Sequence, residues 1–178
     1  MTAVAIPGDV GVDAGAVPYF DPKQYLINIV RRASVNRQNV AISAGELGEV
    51  VVMGSTGRYF SRCRDLPALC RRPARTLEVS VVSKGERVPG ASDGSGRSVD
   101  ELMWEAAFHA SDGCLMEGCY LVDVVRLARW PNLPRLSMSP NTIRLCALLS
   151  RQPTSLFVAG RLLKVGKAEL CRFYSAAR

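Results

Sequence analysis

The sequence predicts an α+β protein: a small antiparallel sheet with one helix on the N-terminal side, followed by a helical C-terminal bundle. Three observations carry this. Between Asn39 and Val82 the apolar residues alternate with period two, as in half-buried strands. In residues 22–33, 99–110 and 141–177 they recur at helical spacing instead. Ser83 to Arg97 is polar and rich in Gly, Ser and Pro, which suits a linker between the two patterns. The expected organisation is a flexible arm over residues 1–17, an α+β part over 18–83, a linker over 84–96 and a helical part over 97–178.

Met1 to Val17 is small, Gly-rich and unpatterned, and reads as a mobile arm. Asp21-Pro22 is a helix start, with Asp as N-cap and Pro at the first helical position. Tyr25, Leu26, Ile29 and Val30 share a face of the helix that follows, from Pro22 to about Ala33. Val40 and Ile42, Glu49–Met53 and Arg58–Ser61 form short strands separated by Gly-containing turns, a meander. Asp65–Arg72 reads as a short helix, and Thr76–Val82 as the best strand in the chain. Ser98 and Glu101 have capping-box spacing ahead of a helix over Val99–Ala110. In Leu121–Ala128 the residues Leu121, Val124, Val125 and Ala128 fit a helix while the valines also fit a strand; helix is favoured, ended by Trp130-Pro131-Asn132-Leu133-Pro134, where Trp130 serves as a packing anchor. The tail is expected as three helices, Asn141–Ser150, Ser155–Leu163 and Ala168–Ala177.

Of the 178 residues, 48% are hydrophobic and 22% charged, as in a soluble globular protein. Apolar runs fall short of the roughly 18–20 residues a membrane helix needs, so no membrane span is expected. No basic region precedes an apolar stretch at the N-terminus, so a cytoplasmic location is the expectation. Six cysteines lie at irregular spacings without a CxxC pair, which points to reduced thiols and to no metal site. His109 is the only histidine, the carboxylates are scattered, and Gly54-Ser-Thr-Gly57 lacks the Lys-Ser/Thr of a phosphate-binding loop. Neither catalysis nor a cofactor is expected.

The charge is unevenly shared. Residues 1–125 hold 13 basic against 15 acidic residues, whereas residues 126–178 hold 10 basic residues and one acid, Glu169. The net charge of +7 is therefore a property of the tail. Arg144, Arg151, Arg161, Lys164, Lys167 and Arg172 are the candidate binding residues, and an acidic surface is what they would bind. The partner is expected to be an acidic protein, which makes the chain a regulator or adaptor; the alternative is DNA or RNA.

The alternative has a pattern behind it. Val158-Ala159 offers an apolar and then a small residue, so that a second helix can cross closely. Leu162 and Leu163 then face inward, Val165 and Gly166 make a turn, and Leu170 and Phe173 bury the second helix. This arrangement resembles the helix-turn-helix superfamily, winged variants included. The resemblance implies that the second helix enters the major groove with Lys167, Glu169, Arg172 and Ser175 exposed. Arg161 and Lys164 would then lie near phosphates, flanked by Arg144 and Arg151. The sequence departs from the family in the turn, where Leu163-Lys164 stands in place of an apolar residue followed by Gly. A second motif, Arg71-Arg72-Pro73-Ala74-Arg75 with Asp93-Gly94-Ser95, resembles the cyclic-dinucleotide-binding PilZ pattern in outline. It has Ser98 where that pattern has Gly, and it reads better as a solvated basic loop.

Overall fold

The computed structural model describes residues 3–6, 17–83 and 96–178. In chain order the elements are β1 Ala3–Ile6, β2 Tyr19–Phe20, α1 Leu26–Val35, β3 Asn39–Ser43, β4 Glu49–Met53, β5 Arg58–Ser61, α2 Leu66–Arg71 and β6 Glu78–Val81. They continue with β7 Arg97–Ser98, α3 Val99–Ser111, β8 Leu115–Met116, β9 Val124–Leu127, α4 Thr142–Arg151, β10 Thr154–Ser155, α5 Leu156–Leu163 and α6 Lys167–Ala177. The fold is α+β, with a five-stranded antiparallel sheet and C-terminal helices. The chain forms two compact units, residues 22–110 and residues 1–21 with 111–178. Among the described residues no helix is long and apolar enough to cross a membrane. The linker expected over 84–96 lies outside the described residues apart from Gly96, and so does Asp93-Gly94-Ser95.

In the unit of residues 22–110 the strand order is β6-β3-β4-β5-β7, all antiparallel. The register sets Val40 opposite Val52 and Ile42 opposite Val50, and all four are buried. Helix α1 packs against β4 and buries Leu26, Ile27, Val30 and Ala33. The period-two pattern thus becomes a sheet with one apolar face covered by a helix. Asp21-Pro22 opens only a single 3-10 turn, Pro22–Gln24, and α1 starts after Tyr25. At α2 the Asp65 carboxylate accepts a hydrogen bond from the Ala68 amide at 2.9 Å, a side-chain N-cap. Strand β6 forms where expected but lies at the sheet edge, with Val79 and Val81 exposed. Its β-branched content makes it extended, and nothing in its own sequence reports which neighbour will cover it.

Helix α3 buries Leu102, Trp104, Ala106, Ala107 and Phe108. It is expected with the tail, but all of it except Ser111 belongs to the sheet unit. Strand β7 pairs with β5, and the Val99 amide donates to the Gly57 carbonyl, so the helix is tied to the meander at its first residue. Ser98 Oγ accepts from the Asp100 amide at 3.3 Å, while Glu101 takes an ion pair with Arg97 at 2.6 Å.

The other unit joins the three tail helices to strands. Strand β9 is central, paired antiparallel with β1 on one side and β10 on the other. Two expectations are corrected here. Val124–Leu127 is a strand and not part of a helix: Val125 and Leu127 are buried while Arg126 is exposed, the alternation of a sheet. Within the arm, Ala3–Ile6 is a strand in register with it, Ala3 opposite Leu127 and Ile6 opposite Val124. Strands β2 and β8 form a short parallel pair.

Helices α4, α5 and α6 fall within a residue of the expected bounds. Their packing is bolted by polar contacts at three places. Glu169 accepts from the backbone amide of Asn141 at 2.6 Å and from its side-chain amide at 3.0 Å. Asp123 accepts from the Tyr120 amide at 2.9 Å and the Tyr174 hydroxyl at 3.0 Å. Ser175 Oγ accepts from the Met116 amide at 3.2 Å.

Candidate functional site

The six basic residues singled out in the tail divide into three groups. Arg144 and Arg151 are exposed on α4 and stand seven residues apart, two helical turns, on one face. Arg144 Nη1 also donates to Asn141 Oδ1 at 2.8 Å, next to the Glu169 bolt. Arg161, Lys164 and Lys167 are exposed around the α5–α6 turn. Arg172 is only half-exposed and is held by Asp112 at 3.2 Å.

The helix-turn-helix-like pattern folds as three helices, but its details differ from the expectation. Leu162, expected inside, is 62% exposed. Val158 is 44% exposed, and the two lie one turn apart on α5. The close approach of α5 and α6 comes from buried Ala159 and Gly160, since a Cβ at Gly160 would collide with Leu170. Lys164 ends α5 in the left-handed region at φ 55°, the conformation that glycine adopts at no steric cost. Ser175, expected to be exposed, is buried, and Glu169 is engaged by Asn141. Leu170, Cys171, Phe173, Tyr174, Ser175, Ala176 and Ala177 are all buried, so α6 exposes only its first turn and part of Arg172. A helix that reads a groove needs a free face along its length, and α6 has none.

The outer face of α5 is therefore the distinctive surface of this unit. Val158 and Leu162 form its apolar part. Beside them the Arg161 guanidinium lies 5.9 Å from the centre of the half-buried Phe157 ring, a cation–π contact that orients the charge. Lys164 and Lys167 follow at the end of the helix.

A second feature has no counterpart in the sequence pattern. The outward side of β9 and the end of α4 enclose a groove of about 680 Å³, lined by Val124, Arg126, Arg129, Trp130, Ser150 and Pro153 among others. Trp130, read as a packing anchor, is 52% exposed in it. The signal available was a Trp preceded within four residues by two arginines, next to a proline that forbids helix.

The described thiols are all free: Cys70, Cys119, Cys146 and Cys171 are buried, Cys63 and Cys114 partly so. Burial pushes the Cys146 thiol up to about 12 and the Cys171 thiol up to about 11. Burial also raises Tyr174, helped by Cys119 and by Asp123, to which it donates. In the sheet unit, burial pushes Tyr59 up to about 12 against the opposing pull of Arg97, which lies over its ring at 5.6 Å. His109, partly buried, faces the buried Glu105 at 3.3 Å on one side of α3. Among the described residues no group of three or more His, Cys, Asp or Glu is placed to hold a metal ion. The chain matches no family model, no curated protein and no solved structure.

Proposed function

We propose that this chain is a non-enzymatic cytoplasmic adaptor or regulator whose C-terminal unit docks on an acidic protein partner through the outer face of α5. The observation that carries this is the pairing of exposed Val158 and Leu162 with a cationic border of Arg161, Lys164 and Lys167. Protein interfaces combine a small apolar centre, which supplies most of the binding energy, with a charged rim that steers the encounter. A nucleic-acid surface needs the cations but gains nothing from the two aliphatic side chains, and it needs a free helix face that α6 lacks. Arg144 and Arg151 extend the positive potential along α4, and Arg172 contributes less because Asp112 holds it.

The experiment compares two variants for two kinds of binding. Val158→Asp/Leu162→Asp removes the apolar centre and keeps every cation. Arg161→Glu/Lys164→Glu/Lys167→Glu reverses the rim. Each is tested for specific crosslinking from a photoreactive side chain placed at Phe157, and for retention on random duplex DNA. Crosslinking to one acidic protein that both variants abolish supports the proposal. Retention on DNA with a steep salt dependence, lost in the triple variant and kept in the double one, would instead establish nucleic acid as the target.

A further inference from the structure

We propose that the groove beside β9 is a binding site for a small anion that carries a flat ring, of the nucleoside-phosphate class. It shares no residue with the α5 face, and it stands or falls independently of the docking reading.

The argument begins with the strand. Because β9 is paired on both edges, its backbone is fixed, and alternation then assigns its side chains. Val125 is buried in the unit, and Val124 and Arg126 line the groove, with the largely buried Leu127 contributing to its floor. The outward side of a sheet normally faces open solvent. Here Ser150 and Pro153, from the end of α4 and the turn beyond it, wall it into a concavity. The volume of about 680 Å³ falls within the few-hundred-to-thousand Å³ range of small-ligand sites.

The lining chemistry selects the ligand. Arg126, Arg129 and Trp130 contribute two guanidinium groups and an indole N–H, all donors. Among the described residues none of the three side chains has a hydrogen bond or ion pair. No carboxylate is among the described lining residues, so the two positive charges are uncompensated there. Guanidinium groups bind phosphate oxygens in two-pronged fashion, and the exposed face of Trp130 is a platform for a flat ring. One aromatic face with two adjacent guanidiniums fits one base carrying one phosphate. A longer polyanion would need charge continuing along the surface from the groove.

The two tryptophans make the test local. Trp104 is 1% exposed and Trp130 is 52% exposed, so acrylamide quenching of the native protein reports Trp130. The full chain is titrated with AMP, with adenosine and with inorganic phosphate, following the quenchable emission, and heats of binding are measured in parallel. AMP is expected to bind with a Kd below about 1 mM and to shield Trp130 from acrylamide, with adenosine and phosphate each at least about tenfold weaker. Arg126→Ala/Arg129→Ala is expected to weaken AMP by at least about tenfold and to leave adenosine unchanged. Both arginines are exposed, and the far-UV spectrum of the variant checks its fold. The proposal is overturned if wild-type protein shows neither heat nor protection at about 5 mM AMP, or if phosphate alone binds as well as AMP. It is also overturned if a short single-stranded oligonucleotide binds far more tightly than AMP, which would make the groove part of a nucleic-acid track.

Discussion

Glu169 is the single acid among the last 53 residues, and the structure gives it a task unrelated to solubility. Its carboxylate receives two hydrogen bonds from Asn141, one of them from the backbone amide at the start of α4. Asn141 is the N-cap residue of α4, and its own side chain does not cap the helix. The carboxylate from α6 therefore supplies the negative charge that a helix N-terminus favours, and fastens α6 to α4 in doing so. Hydrogen bonds to a charged partner contribute about 1.5–3 kcal/mol each, and the pair here is only part-buried and not additive. Glu169→Ala is expected to destabilise this unit by about 2–4 kcal/mol. Glu169→Gln, which keeps an acceptor and loses the charge, is expected to cost about half as much. Urea unfolding followed by the emission of Trp130, which lies in the same unit, measures both. A loss below about 0.5 kcal/mol for the alanine variant would refute the assignment of Glu169 as a structural bolt.

Three further outcomes are expected. Tyr59 Oη is buried without a hydrogen-bond partner among the described residues, so Tyr59→Phe is expected to be neutral or stabilising by up to about 1 kcal/mol in urea unfolding. Lys164 holds a left-handed conformation at φ 55°, so Lys164→Gly is expected to raise stability by about 0.5–1 kcal/mol and, under the proposed docking, to slow association with the acidic partner. Stability is also expected to fall at alkaline pH. The Cys146 thiol ionises near 9.0 when unfolded but keeps its proton to about 12 when folded. Over that interval the unfolded state binds fewer protons, so each unit of rising pH removes up to about 1.4 kcal/mol per such thiol. Denaturation midpoints between pH 8 and about 11 measure the slope, which Cys146→Ala should flatten.

Much of the fold was legible because short-range pattern decides it. The strands Glu49–Met53 and Arg58–Ser61 and the helix of Val99 stand where alternation and helical spacing put them. What escaped was whatever depends on a distant partner. Val124-Val125-Arg126-Leu127 satisfies both periods over so short a run, and β1, more than a hundred residues earlier, decides between them. Ala3–Ile6 is too short and too small in its side chains to announce a strand alone. The same cause moved α3 from the tail to the sheet unit, where the β5–β7 pairing holds its start. The groove was invisible for the same reason, since its walls come from β9 and from the end of α4.

The candidate site was legible in composition but not in geometry, and the difference narrows it. Charge counting and helical spacing single out six of the tail's ten cations, yet treat those six as equivalent. The structure sorts them by what else they do. Arg172 faces Asp112, and Arg144 braces Asn141 beside the Glu169 bolt, so both serve the fold. Lys164 does the opposite: it occupies a backbone conformation costing an L-residue roughly 1–2 kcal/mol where glycine would sit without strain. A cation held at that cost, on the outside, one helical turn from Arg161 and beside Leu162, is not explained by folding. Together with Leu162, which lies outside where the helix-turn-helix pattern wanted it inside, it is why the end of α5, rather than α4 or α6, is the proposed docking surface.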